Sequence, residues 1–201
     1  MGIVNGQNMA DDTKRAMTLS RFQPFHLGHL KTVRQMKQDD YKEIVVCIGS
    51  PEKSQRPRDP FTCGERIEML HSVLKDEGFD HYFIVPVWDI DDYDTWARHV
   101  ERLCPKFETV YSGNPLVSYL FNAAGYKVLE QQRLTMTNFN KIPPEAIYVS
   151  GSKIRELIVA DKNGEEVWKN LLPKPVYKKL IEYDGANRIK QLNAMLYSDT
   201  E

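Results

Sequence analysis

The chain has 201 residues, ample for one packed domain and short for two. Hydrophobic residues make up 41%, enough for a core, and 27 basic against 28 acidic residues leave a formal net charge of −1. That balance argues against a nucleic-acid or membrane-surface binder, whose affinity comes from clustered lysine and arginine, and no apolar run approaches the roughly 18–20 residues of a membrane span.

The first stretch, "MGIVNGQNMADDTKR", is polar and acidic in its middle, so residues 1–15 predict a disordered extension rather than a secretory signal. Gly6 stands where a myristoylation signal needs Ser or Thr. Residues 16–22 predict a first strand and 27–38 the helix after it. "EIVVCIGS" (43–50) is a continuous apolar run, as in a strand buried on both faces. Thr62 and Glu65 have capping-box spacing, with an apolar stripe of Ile67, Leu70, Val73 and Leu74 behind them. "HYFIVPV" (81–87) predicts a third strand. Asp94 is positioned to cap a helix over 95–103, with Trp88 assigned to packing. Residues 108–113 predict a fourth strand, 115–123 a helix and 126–130 a fifth strand. Residues 131–147, with Pro143 and Pro144, predict a long loop. From about 150 the pattern is helical, with Ser150 as N-cap, a turn at Asn163-Gly164 and two C-terminal helices.

Alternation of this kind builds right-handed βαβ units: an α/β fold, a doubly wound parallel sheet with C-terminal helices, as a single domain over 16–197. Ligands of such sheets sit beyond the carboxyl ends of the strands, where the strand order switches. "SRFQPFHLGH", "IGSPEK", "VWDIDD" and "YSGNP" each follow a strand and so should converge on one crevice. Cys47, Cys63 and Cys104 form no CxxC pattern, and an odd set suits a reducing compartment. The expected localisation is cytoplasmic.

"SRFQPFHLGHL" (20–30) places His26 and His29 three apart in the first turn of a helix, near one face. A helix start offers free N–H groups and the positive end of the macrodipole. Gly28 lets an anion approach the backbone, Pro24 stiffens the turn, and Arg21 adds a guanidinium. Read alone, His-x-x-His is more often a coincidental or mutually satisfied pair than a site, and zinc would need a cysteine or acidic ligand at suitable spacing nearby. "SGSKIR" (150–155) opens a second helix with Ser150, Ser152 and Arg155, and its bland reading is an N-cap with a solvated basic pair. Two anion-friendly helix starts in one strand–helix domain favour a triphosphate site.

"RFQPFHLGH" with "VSGSKIR" resembles the nucleotidyltransferase superfamily that carries the HxGH signature and a later Ser-x-[Ser/Thr]-x-x-Arg motif. "CIGS", "RDPFTCGERIEML", "VPVWDIDDYDTWARHV", "VYSGNPLVSYLF" and "DGANRIKQL" narrow the resemblance to the archaeal-type nicotinamide-nucleotide adenylyltransferases, in order, from about Thr18 to Leu192. In that family glycine usually stands where Ser20 is, and threonine is commoner where Ser152 is.

The resemblance implies a Rossmann-like nucleotidyltransferase fold. It also implies attack of the nicotinamide mononucleotide phosphate on the α-phosphorus of ATP, giving NAD and pyrophosphate. It assigns His26, His29, Arg21 and Arg155 to catalysis. Phe22, Gln23, Gly28, Ser150 and Ser152 join them in binding ATP. Arg58, Asp89, Trp96 and Asn114 fall to the mononucleotide pocket, with Trp96 stacking on the pyridine ring. Mg²⁺ is expected to be held mainly by substrate phosphates, with no protein metal ligands, and a homo-oligomer, as a hexamer, is implied. Without the resemblance, Trp96 reads as core, Asp89 as a turn cap and Arg56 and Arg58 as solvated charges. Alternative acceptors for the same chemistry are nicotinate mononucleotide, flavin mononucleotide and phosphopantetheine, with adenylyl or cytidylyl transfer. A non-catalytic nucleotide sensor is the alternative of another class.

Overall fold

A computed structural model describes residues 14–138 and 145–198. The apolar runs bury both faces because alternate side chains enter different cores. In β2 (Glu43–Gly49), Ile44, Val46 and Ile48 enter one core while Val45 and Cys47 enter the other. Ala16 and Met17 of β1 (Arg15–Ser20) divide in the same way, as do Tyr111 and Val110 of β4 (Thr109–Ser112). With β3 (His81–Val87) and β5 (Lys127–Glu130) these strands form one parallel sheet in the order β3-β2-β1-β4-β5.

Helices cover both faces. α1 (Leu27–Gln38) and α2 (Cys63–Asp76) pack into the first core together with α5 (Gly151–Ala160), α6 (Lys174–Glu182) and α7 (Gly185–Ser198). α3 (Tyr93–Leu103) and α4 (Pro115–Ala123) fill the second. The sheet is thus doubly wound, and the order switches between β1 and β4, whose loops diverge and open a crevice at the carboxyl edge. Among the described residues no helix is long and apolar enough to cross a membrane.

Several boundaries differ from the sequence expectation. Arg15, placed in the disordered extension, opens β1, where its Nε donates to Glu43 at 2.6 Å; residues 1–13 lie outside the described residues. β1 stops at Ser20, because Phe22 turns into the left-handed region at φ 51. α3 is capped by Asp92 rather than Asp94: the Asp92 carboxylate accepts from the Asp94 and Thr95 amides. The expected 131–147 loop holds β6 (Thr135–Asn138) and most of β7 (Glu145–Tyr148), an antiparallel pair. Trp88 is not packed; it is 52% exposed.

The C-terminal helices brace the site from below. Arg188 of α7 donates to both Glu65 oxygens at 2.7 and 2.8 Å, gripping the reciprocal capping box that Glu65 forms with Thr62 at the start of α2. Cys47 and Cys104, distant in sequence, lie with their sulfurs 3.3 Å apart.

Candidate active site

The turn after β1 is held from beneath. Gln23 is buried, and its amide clasps the Phe61 backbone in both directions, donating to the carbonyl at 2.8 Å and accepting from N–H at 2.9 Å. Phe22 and Phe25 are buried and flank His29, with ring centroids 4.7 and 5.3 Å from the imidazole. Phe22 and the Gln23 side chain therefore shape the site; the atoms they can offer a nucleotide are those of the backbone.

His26 is the N-cap of α1. Its Nδ1 accepts from the Gly28 amide at 3.1 Å, and His29 Nδ1 accepts from the His26 amide at 3.3 Å, a capping box built from two imidazoles. Each Nδ1 is an acceptor, so these hydrogen bonds assign the proton of both neutral rings to Nε2. The rings stack at 3.7 Å. Burial brings His26 down to about 4, and burial together with the nearby His26 holds His29 well below the ordinary histidine value. The pair is therefore neutral, with two Nε2–H donors. Gly28 works differently from the sequence expectation. Its amide is occupied by His26, and a Cβ there would come within 2.9 Å of the His26 ring, so glycine makes room for the imidazole.

The second helix start docks on the same turn. Ser150 caps α5 by accepting from the Lys153 amide at 3.1 Å. Arg155 crosses back so that Nη1 donates to the Gln23 carbonyl at 2.5 Å, while Nη2 donates to Ser152 Oγ at 3.3 Å. The approach is close: a Cβ on Gly151 would lie 2.8 Å from the Gln23 carbonyl oxygen. Arg21, its side chain 51% exposed, pairs with buried Asp59 at 3.2 Å. Burial lowers the Arg155 pKa, Arg21 and Arg58 lower it further, and Asp59 and Glu156 oppose them. Arg58 is exposed and lines a groove with Ser152, Arg155 and Asn193, on the α5 side rather than beside Asp89.

The loop after β3 supplies the other half. Asp89 accepts from Ser50 Oγ at 2.8 Å and Lys53 Nζ at 2.5 Å. Burial would raise its pKa, but these bonds and the Lys53 charge hold it below the usual carboxylate value. Trp96, in the first turns of α3, is partly buried with its ring edge-on to Phe121 at 5.7 Å. Asn114 caps α4, its side-chain oxygen accepting from the Leu116 amide at 3.0 Å.

Asp59 and Arg66 lie within "RDPFTCGERIEML" but had no role assigned from the sequence. Arg66 is fully buried and has no carboxylate partner among its hydrogen bonds: its guanidinium donates to the carbonyls of Thr62, Arg21, Gly49, Ser50, Pro51 and Lys53 at 3.1–3.4 Å. It ties the turn after β1 to the turn after β2, whose Ser50 sits at φ 49. The signal was present in the sequence. Arg66 falls on the helical stripe of Met69, Leu70 and Val73, where a charge is out of place unless it has a structural duty.

The cytidylyltransferase-like family model matches residues 17–157. A protein named nicotinamide-nucleotide adenylyltransferase from Methanococcus aeolicus is 40% identical over 93% of this chain and 99% of its own length. The protein of that name from Thermoplasma volcanium is 38% identical over 89% of this chain and 92% of its own length. The chain belongs to the nicotinamide-nucleotide adenylyltransferase family. Solved structures share the fold at lower identity. A bifunctional NMN adenylyltransferase/ADP ribose pyrophosphatase from Francisella tularensis, complexed with AMP and Mn ion, superposes with TM-score 0.64 at 18% identity; the match covers 90% of this chain and 52% of that one, so this chain spans about half its length. Plasmodium falciparum nicotinic acid mononucleotide adenylyltransferase, complexed with NaAD, gives 0.56 at 12% identity, covering 87% and 98%.

Proposed function

We propose that the chain transfers the adenylyl group of ATP to nicotinamide mononucleotide, forming NAD and pyrophosphate. The observation that carries this reading is the Arg155–Gln23 hydrogen bond, which brings a guanidinium from α5 onto the turn between Arg21 and His26. Imidazole donors and guanidinium groups from opposite ends of the chain thereby share the carboxyl edge of the sheet. That is a receptor for a polyphosphate.

The attacking phosphate is already an oxyanion, so the residues need not remove a proton; their work is alignment and charge neutralisation. His26 offers its Nε2–H to phosphate oxygens, and His29, whose Nε2 lies 3.0 Å from Ser20 Oγ, is assigned to the α-phosphate. Arg21 and Arg155, with Ser150 and Ser152, take the departing β and γ phosphates. Asp89, Trp96 and Asn114 form the mononucleotide side, Trp96 stacking on the pyridine ring, and Arg58 takes the mononucleotide phosphate. The groups assigned to phosphate oxygens are imidazole, guanidinium and hydroxyl donors, and a magnesium ion arriving with ATP would be held by phosphate and water and would offset phosphate charge. The protein acts in the cytoplasm as a homo-oligomer, as a hexamer. Exposed Tyr93, Leu116 and Tyr119 on α3 and α4 support an apolar contact between copies.

The test is a panel of acceptors. Purified protein is mixed with Mg²⁺, ATP or CTP, and nicotinamide, nicotinate or flavin mononucleotide or phosphopantetheine. Dinucleotide formation with ATP and nicotinamide mononucleotide is the expected result. Pyrophosphate release only with another pair would replace this reading, and tight ATP binding with no turnover would favour a nucleotide sensor.

A further inference from the structure

Ser20 is the last residue of β1, at the carboxyl edge of the sheet beside the switch in strand order, and it is only partly buried. Its Oγ lies 3.0 Å from His29 Nε2. The direction of that bond follows from the other side of the ring. His29 Nδ1 accepts the His26 amide, so a neutral ring carries its proton on Nε2 and donates to the serine. Ser20 is thus the acceptor. A hydroxyl that accepts one hydrogen bond still has its own proton to donate, and among the described residues no acceptor takes it.

The result is a relay of dipoles, His26 N–H to His29 Nδ1 and His29 Nε2–H to Ser20 Oγ, that leaves the Ser20 O–H to donate to a ligand. Each link polarises the next, so the terminal hydroxyl is a stronger donor than an isolated serine. The buried Phe22 and Phe25 rings fix His29 behind it, so the aim of the relay is set before any ligand arrives.

We propose that Ser20 is a direct phosphate ligand of this enzyme, delivering the hydrogen bond of His29 to the nucleotide through its own hydroxyl. Glycine at this position would leave the imidazole to reach the phosphate unaided. Serine extends that reach by one hydroxyl and makes the two residues a single donor unit. No proton is transferred and no bond is made or broken in the relay; it stabilises charge by hydrogen bonding alone.

This inference rests on the ATP chemistry proposed above, and the experiment separates the two. Turnover with ATP and nicotinamide mononucleotide is measured for wild type, Ser20→Ala, Ser20→Gly, Ser20→Thr, His29→Ala and the Ser20→Ala/His29→Ala pair. MgATP affinity is measured by calorimetry in the absence of mononucleotide. Ser20→Ala is expected to lower kcat by about tenfold, the scale of one charge-assisted hydrogen bond, with the KM for mononucleotide within about twofold. Ser20→Thr should restore most of the rate, and removing Ser20 from the His29→Ala background should cost less than about twofold. Wild-type turnover with Ser20→Ala or Ser20→Gly at less than about a fivefold loss would overturn the Ser20 role alone. If wild type forms no dinucleotide, the functional reading falls and affinity decides Ser20: MgATP binding weakened by about fivefold or more supports the contact, and a smaller change removes it.

Discussion

His26 lies face to face with His29, their ring centroids 3.7 Å apart and their planes 20° from parallel. Stacking two imidazoles under buried phenylalanines makes a charged pair untenable at neutral pH. A neutral pair needs no counter-charge in the resting protein and still presents N–H donors to an incoming polyanion.

That neutrality has a pH signature in stability. The folded-state pKa of His26 is about 4, against an ordinary value of 6.5. The unfolded chain therefore binds more protons between these values, and stability falls as pH drops from 6.5 towards 4. The shift corresponds to on the order of 3 kcal/mol for this buried residue. Denaturation midpoints across that window should decline in wild type and decline less in His26→Gln; parallel curves would remove the assignment.

His29→Ala deletes the donor assigned to the reacting phosphate. Its kcat is expected to fall by about 10² or more, the scale for losing a transition-state charge stabiliser. Unchanged turnover, in a variant with wild-type circular dichroism, would take His29 out of the mechanism.

Two tryptophans, Trp88 and Trp96, lie near Asp89 in the chain, and measurement can tell their roles apart. Trp96→Ala should raise the KM for mononucleotide far more than that for ATP, because the lost contact is stacking on the pyridine ring. Equal changes in both constants would instead mark its contact with Phe121 as pure core packing. Trp88→Ala, at an exposed position, is expected to leave the unfolding free energy within the small range of surface substitutions, about ±0.5 kcal/mol, as read by denaturant titration.

Arg66→Met removes the donor shared by six carbonyls and leaves them buried without it. Destabilisation of about 3–5 kcal/mol is expected, as for other buried charged networks that lose one partner. Arg66→Lys keeps the charge but has three donors in place of five, so it should be partly stable and show raised KM for both substrates. Differential scanning calorimetry and steady-state kinetics on the pair would check this, and a wild-type Arg66→Lys enzyme would contradict it.

The sequence by itself determined the sheet and the motif positions. The short β-branched run Ile44–Ile48 reads as a strand covered on both sides, and Thr62 with Glu65 set the start of α2 through local hydrogen bonds. Where chemistry depended on long-range contact, the sequence was silent. β6 and β7 are four residues each, and their pairing exists only because the chain returns on itself; no local propensity encodes that. Asp92 rather than Asp94 caps α3 because its carboxylate meets the Asp94 and Thr95 amides, a choice between two nearby acids that spacing alone leaves open. The Arg155–Gln23 bond spans 132 residues, the Cys47–Cys104 contact 57 and the Arg66 network up to 45. Covalent order carries no information about which carbonyl a guanidinium will meet, since a side chain's partners are fixed by packing density and by the need to satisfy every buried polar group. The residues of the candidate site were therefore legible one motif at a time, and only the tertiary structure gave Ser20, His29 and the Gln23 carbonyl their hydrogen-bond partners.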